Sequence, residues 1–265
     1  MVDHQSTHWY NNKVIGTPFD CRHYRRISAM AGTSPALKAD QRTHLSRLAP
    51  SGLVGGIGGL CFVASVVVQN ILRAVHTPSN DASASSVIAY YASHHATTLA
   101  LSACYPVGAI GLAFFLGALL SRLSASAVRA PAIAGAFGAT GILAMFTMTA
   151  ATDLALAQYI QRGHADPAVV TGLWVTHNAV FGVLLVSIGV ALAGLSAAGA
   201  TAGIVPTAWK GIGLIGGIAL GIAGGFTPAL IDGSHILVLG LVGFVAWLLF
   251  VVTAATALLR ERAEA

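Results

Sequence analysis

The sequence predicts an all-α fold, a polytopic membrane helical bundle with six transmembrane helices and both termini cytoplasmic. Three observations carry this expectation. Of the 265 residues, 55% are hydrophobic and 9% charged, with a mean hydropathy of +0.76. A soluble domain carries roughly 25% charged residues, so a water-soluble fold has nowhere to hide this apolar surface. Six apolar runs each reach the roughly 20 residues that cross about 30 Å of hydrocarbon. Of the 14 Lys and Arg, all but Arg73 and Arg162 fall in segments that six crossings place on one face. The positive-inside rule makes that face the cytoplasm, in a bacterium the cytoplasmic side of the inner (plasma) membrane.

Residues 1–50 form a polar, mixed tail. His4, His8, Cys21 and His23 lie in it without the paired spacing a metal site needs, so it reads as a disordered leader. Met30 is an alternative start, after which the tail is an ordinary basic flank. The six-helix domain occupies 51–260, and 261–265 form a short tail. The first span, Gly52 to Leu72, exceeds the roughly 7–15 apolar residues of a secretory signal and reads as a retained helix, although Ala82-Ser83-Ala84 mimics a cleavage site. Gly52, Gly55, Gly56 and Gly59 give its inner end a close-contact surface. From Val75 to His95 the chain is polar. Ser79-Asn80-Asp81 marks a turn or cap, and SSVIAYYASHH has the spacing of a short surface helix with Tyr90 and Tyr91 at headgroup level.

The second span runs from Thr97 to Leu120 around Pro106, which removes a backbone donor and favours a bend. The third covers Pro131 to Thr152 and ends at Asp153, and the fourth covers Val169 to Leu195. The turn-rich SAAGATAGIVPT leads to the fifth, Trp209 to Leu230. There Gly213, Gly217, Gly221 and Gly225 recur every four residues, the spacing that admits a neighbouring backbone and marks the expected packing axis of the bundle. Within a multi-helix chain this GxxxG pattern points to intramolecular packing ahead of dimerisation. Ile236 to Leu259 is the sixth span. The hairpins after spans two and four share a small-residue turn and a proline, a faint internal similarity that reads as compositional.

Several function classes drop out. No basic stripe interleaves with aromatics, which argues against nucleic acid. The three cysteines, Cys21, Cys61 and Cys104, form no CxxC and read as buried free thiols acting as small hydrophobes. No phosphate-binding loop, GxSxG or nucleophilic triad is present, so no catalytic residue and no cofactor is assigned. His76, His94, His95, His164, His177 and His235 gather on the outer side with Asp81, Asp153, Asp166 and Asp232, but without HxxxH or HExxH spacing, so no metal is assigned.

What stands out is a polar group set within the outer half of the spans. Thr149, Thr152 and Asp153 share one face of span three, and Trp174, His177, Asn178 and Phe181 share one face of span four. A short connection makes these spans antiparallel neighbours. His177 lies roughly 12 Å below the outer end of its span, level with Thr149 and with Tyr105 of span two. Gln69, Asn70 and Ser102 add to the layer. Intramembrane polar groups are costly unless paired or wet, and they commonly mark function. One reading is a pocket or proton relay of Asp153, His177, Asn178, Thr149 and Tyr105, with Asp153 as counter-charge to His177. The other has Asp153 capping a helix end and His177 making a single interhelical bond.

The first span, the stretch Ser85-Ser86-Val87-Ile88-Ala89-Tyr90-Tyr91-Ala92, and Pro206-Thr207-Ala208-Trp209-Lys210-Gly211 before span five resemble a bacterial family of six-helix integral membrane proteins of unknown function. The resemblance covers about residues 50–260 and implies the six-helix layout, with no activity and no site residue to carry over. The expected partners are the lipid bilayer and other membrane proteins. Three functions stay open: transport or sensing of a small solute or proton, a structural or accessory subunit, and a metal-dependent membrane enzyme.

Overall fold

The structure, a computed structural model, describes residues 52–74, 77–123, 128–163 and 165–260. The leader, the alternative start at Met30, Cys21, His76 and His164 therefore lie outside the described residues; Cys61, expected to be buried, is exposed on the apolar outer face of its helix, and Cys104 is half-buried. Within them the chain folds into helices α1 (Gly52–Ala74), α2 (Ala84–Ser93), α3 (His95–Arg122), α4 (Arg129–Gln161), α5 (Pro167–Thr201), α6 (Trp209–Gly225), α7 (Thr227–Ile231) and α8 (Leu237–Arg260). Among the described residues every regular element is helical. Five of them, α1, α3, α4, α5 and α8, are long and apolar enough to cross a membrane. Phe137, Ile215 and Val238, each at least 65% exposed, belong to an apolar outer surface that suits lipid and not water.

Two helices outrun the lengths expected from hydropathy. α4 passes Asp153 and continues to Gln161 because Leu, Ala and Gln after it favour helix. It stops at Gly163, which takes φ +78°. Asp153 therefore caps nothing; it sits two turns inside the helix. α5 begins at Pro167, where the Asp166 carboxylate accepts from the Ala168 N–H at 2.8 Å. It runs through Ser196-Ala197-Ala198-Gly199, expected as a loop, because alanine is the strongest helix former. Its end is a Schellman turn: Gly203 takes φ +75° and the Ile204 N–H donates to Gly199 C=O at 2.9 Å.

The expected fifth span is divided. α6 has 17 residues, about 25 Å of rise, and breaks at Phe226 ahead of Pro228 before the single turn of α7. Only part of its glycine ladder faces a neighbour. Gly213 lies against Ser196 and Gly217 against the Gly189 carbonyl, but a Cβ on Gly221 or Gly225 would meet nothing within 4 Å. The reason is pitch: four residues overshoot a turn by about 40°, so a strict four-residue ladder drifts off its face. The buried residues are Trp209, Gly213, Gly216, Gly217, Ala219, Leu220, Ala223 and Gly224. The axis of the bundle is α5, whose apolar stretch is 61% buried against 33–44% for the other four long helices. It packs on α4, α6, α7, α8 and α2.

Close backbone approach dominates the half of the bundle holding the start of α1 and the end of α8. Gly58 faces the Gly111 carbonyl of α3, Gly56 faces Ala255 and Leu259 of α8, and Gly138 of α4 faces the Ala191 backbone of α5. The other half carries the polar layer, covered by α2. Val87, Tyr90 and Tyr91 of α2 pack with Leu156, Ala157 and Ile160 of α4 and Val170 and Trp174 of α5.

Candidate functional site

The site is organised around one buried carboxylate. Asp153 of α4 is 6% exposed. The Arg73 guanidinium at the end of α1 donates to its Oδ2 and forms an ion pair with it. Tyr91 of α2 donates its phenolic O–H to Oδ1 at 2.8 Å. Tyr105 of α3 accepts from Arg73 and directs its own O–H to Oδ2 at 3.4 Å. His177 of α5 places Nδ1 3.4 Å from Oδ1. One carboxylate thus joins α1, α2, α3, α4 and α5.

Each side chain arrives by helical register. Phe62, Val66, Gln69 and Arg73 recur at helical spacing, so the inward stripe of α1 ends on the guanidinium. Tyr91 points inward because Ser83 caps α2, accepting from the Ser86 N–H, and Val87 below it is fully buried. His177 is held on two sides: its ring stacks on Trp174 at 5.3 Å and 3° between planes, and its Nδ1 is 3.1 Å from Thr152 Oγ1. Thr152 Oγ1 also lies 2.9 Å from the Thr149 carbonyl. When its single hydrogen goes to that carbonyl, the hydroxyl accepts from His177 Nδ1–H, which selects the tautomer.

Burial, reinforced by the Asp153 carboxylate, pushes the Tyr91 phenol above its ordinary range, so it stays an O–H donor. Free space here is about 10 Å³, bounded by Arg73, Tyr91, Asp153, Trp174 and His177 among others. That is about one water and no solute. Among the described residues no three His, Cys, Asp or Glu side chains gather as metal ligands.

Of the residues singled out from sequence, Asp153, His177, Thr152 and Tyr105 come together. Asn178, although buried, turns away and donates to the Asn80 carbonyl at 3.2 Å. Trp174 Nε1 donates to the same carbonyl at 3.1 Å. Thr149 donates to Met145 C=O of its own helix. Gln69 donates to Ser65, Asn70 to the Val66 carbonyl and Ser102 to the Thr98 carbonyl, all outside the Asp153 network. Arg73 and Tyr91 were missed as members. Arg73 reads as a loop charge at the end of an apolar run and Tyr91 as an interfacial aromatic, yet the 62–66–69–73 stripe was a signal for the first.

Compared with known proteins, the chain matches no family model, no curated protein and no solved structure.

Proposed function

We propose that this chain is a six-crossing membrane protein in which protonation at the Asp153–His177 pair controls the docking of α2. The observation that carries the reading is a single buried carboxylate shared by Arg73, Tyr91 and His177. A permanent cation and a titratable imidazole compete for one anion. When His177 is neutral, Oδ1 is available to the Tyr91 phenol. A proton on His177 puts a second cation beside Arg73, draws Oδ1 toward the imidazolium and weakens the bond that holds α2. The charged or titratable groups facing the pair are Arg73 from α1, Tyr90 and Tyr91 from α2 and Tyr105 from α3. Histidine suits this role because its ordinary pKa lies near physiological pH. The space at the pair is about that of one water, which favours proton sensing or relay over solute transport.

In this reading α6 and α7 together make the fifth of six crossings as a broken helix, and both chain ends face the cytoplasm of a plasma or bacterial inner membrane. Lys210, Arg122, Arg129 and Arg260 at the ends of the helices support that orientation. The layout is the one implied by the resemblance to six-helix bacterial membrane proteins.

Hydrogen exchange of the α2 peptide, in full-length protein reconstituted in vesicles, tests the reading. After correction for intrinsic exchange, α2 protection is expected to fall in one step as pH is lowered, and the step is expected to vanish in His177→Gln. Identical profiles for the two proteins would sink it. A second reading, an accessory subunit in which the network is fixed glue, is favoured by the near absence of free space around Asp153; it predicts those identical profiles and a co-purifying membrane partner.

A further inference from the structure

Beside the Asp153 network, and sharing Arg73 and Tyr105 with it as a wall, lies a cavity of about 520 Å³ between α1, α4, α5 and α8. Its volume is within the roughly 300–1,000 Å³ of small-molecule sites. The cavity exists because α1 and α8 pack closely only at one end. There Gly52, Gly56 and Gly59 meet Leu258, Leu259 and Ala255. Toward the other end the two helices part, and the space between them is lined on α8 from Leu237 to Trp247, about 15 Å of helix rise.

The walls sort by depth. Deep in the cavity stand Phe62, Val66, Ile142, Leu185, Ile188 and Phe244, with Trp247 beyond them. Of the nearby polar side chains, Gln69 donates to Ser65 and Thr149 to the Met145 carbonyl, while the buried Trp247 Nε1–H has no partner among the described residues. A resident water needs two to four polar partners, and the wall around that N–H is Phe62, Val66, Leu185, Ile188 and Phe244, so the occupant's chain is apolar. The mouth differs. Asn70, Asp81, Ser234 and His235 are exposed there. Below them Val238 and Leu241 of α8 are 65% and 57% exposed while still lining the cavity, which places an apolar slot between α1 and α8. Arg73 also borders the space, but Asp153 neutralises it and Asp81 adds a carboxylate. The mouth therefore offers no net positive charge to an anionic headgroup.

We infer that this cavity binds an amphiphile with one apolar chain inside the bundle and an uncharged or zwitterionic head at Asn70, Ser234 and His235, entering sideways from lipid between α1 and α8. The inference rests on the membrane reading above. It does not depend on the protonation of His177. Two sources share this chemistry: a phospholipid acyl chain and a free single-chain amphiphile.

The test uses the full chain in phosphatidylcholine vesicles with a photoreactive probe. One arm carries a diazirine-tailed phosphatidylethanolamine, the other a diazirine-tailed long-chain alcohol, and adducts are mapped by peptide mass spectrometry. Adducts are expected at Val66, Ile188 and Phe244 as well as at the lipid-facing Phe137 and Ile215. Leu241→Trp, a change at the exposed slot, is expected to suppress the cavity adducts severalfold and leave Phe137 and Ile215 labelled; Val238→Trp, one turn away, is the second such variant. Cavity adducts in the phospholipid arm identify a membrane lipid, and in the alcohol arm alone a free amphiphile; either supports the site. Labelling of Phe137 and Ile215 with an unlabelled cavity in both arms would overturn it. Absence of labelling at Phe137 and Ile215 too would remove the membrane reading along with it.

Discussion

The two halves of this bundle are held together by different physics. In the glycine half, helices touch through backbone: Gly58 against Gly111, Gly138 against Ala191, Gly217 against Gly189. These contacts are dispersion and shape, need no partner chemistry and respond to no proton or ion. In the polar half, α1, α2, α3, α4 and α5 meet on the Asp153 carboxylate. A buried pair of this kind contributes little net stability when intact and costs much when one member is lost. The contrast separates a permanent hinge-point from a joint that a change of charge can loosen. It also explains the cavity, since helices pinned by glycine at one end are free to diverge at the other.

The largest expected effect is at the joint. Asp153→Leu leaves the Arg73 charge uncompensated in an apolar bundle and is expected to cost about 3–5 kcal/mol, measured by unfolding in mixed micelles. Arg73→Met in the same protein should recover most of that loss. Equal instability of the single and double variants would erase the distinction drawn between the halves. Next is the glycine half. A Cβ on Gly138 would collide with the Ala191 backbone N and the Ser187 carbonyl, which cannot swing aside as a side chain would. Gly138→Val is expected to cost about 1–3 kcal/mol or more through overpacking, with no dependence on pH between the two sides of the α2 step.

A smaller effect is expected from Tyr91→Phe, which keeps the ring among Val87, Leu156 and Trp174 and removes only the bond to Asp153 Oδ1. The loss should be about 0.5–1.5 kcal/mol, seen as faster amide exchange confined to α2. The smallest is at the half-ladder. Gly221→Ala and Gly225→Ala enter open space and are expected to change stability by less than about 0.5 kcal/mol. A large loss at either would mean that α6 packs on something beyond this chain, such as a second copy.

Legibility from sequence followed how local each question was. The proximity of Asp153 to His177 was accessible because both lie on antiparallel neighbours joined by a short turn, where depth follows from counting residues. Arg73 lies 80 residues before Asp153, and no counting rule connects them. Asn178 shares the His177 face by spacing but is claimed by the Asn80 carbonyl, from a segment whose path across α5 is set by tertiary packing. Hydropathy places the ends of α1, α3 and α8 to within about two residues, but not those of α4, α5 and α6. α4 and α5 continue as helix past the apolar stretch, and α6 stops short because Pro228 follows a glycine pair.

The amino-acid sequence by itself determined that this is an all-helical protein with helices of membrane-spanning length, because in lipid every backbone N–H and C=O must be paired within its own segment and long apolar runs therefore have one available form. Only the tertiary structure decided that Asp153 belongs to Arg73 and Tyr91, that half the glycine ladder faces open space, and that α1 and α8 part around a cavity. Those outcomes depend on helix crossing and rotation, which arise from the summed packing of residues far apart in the chain; a periodic pattern along one helix tells which way a side chain turns but not which partner it meets.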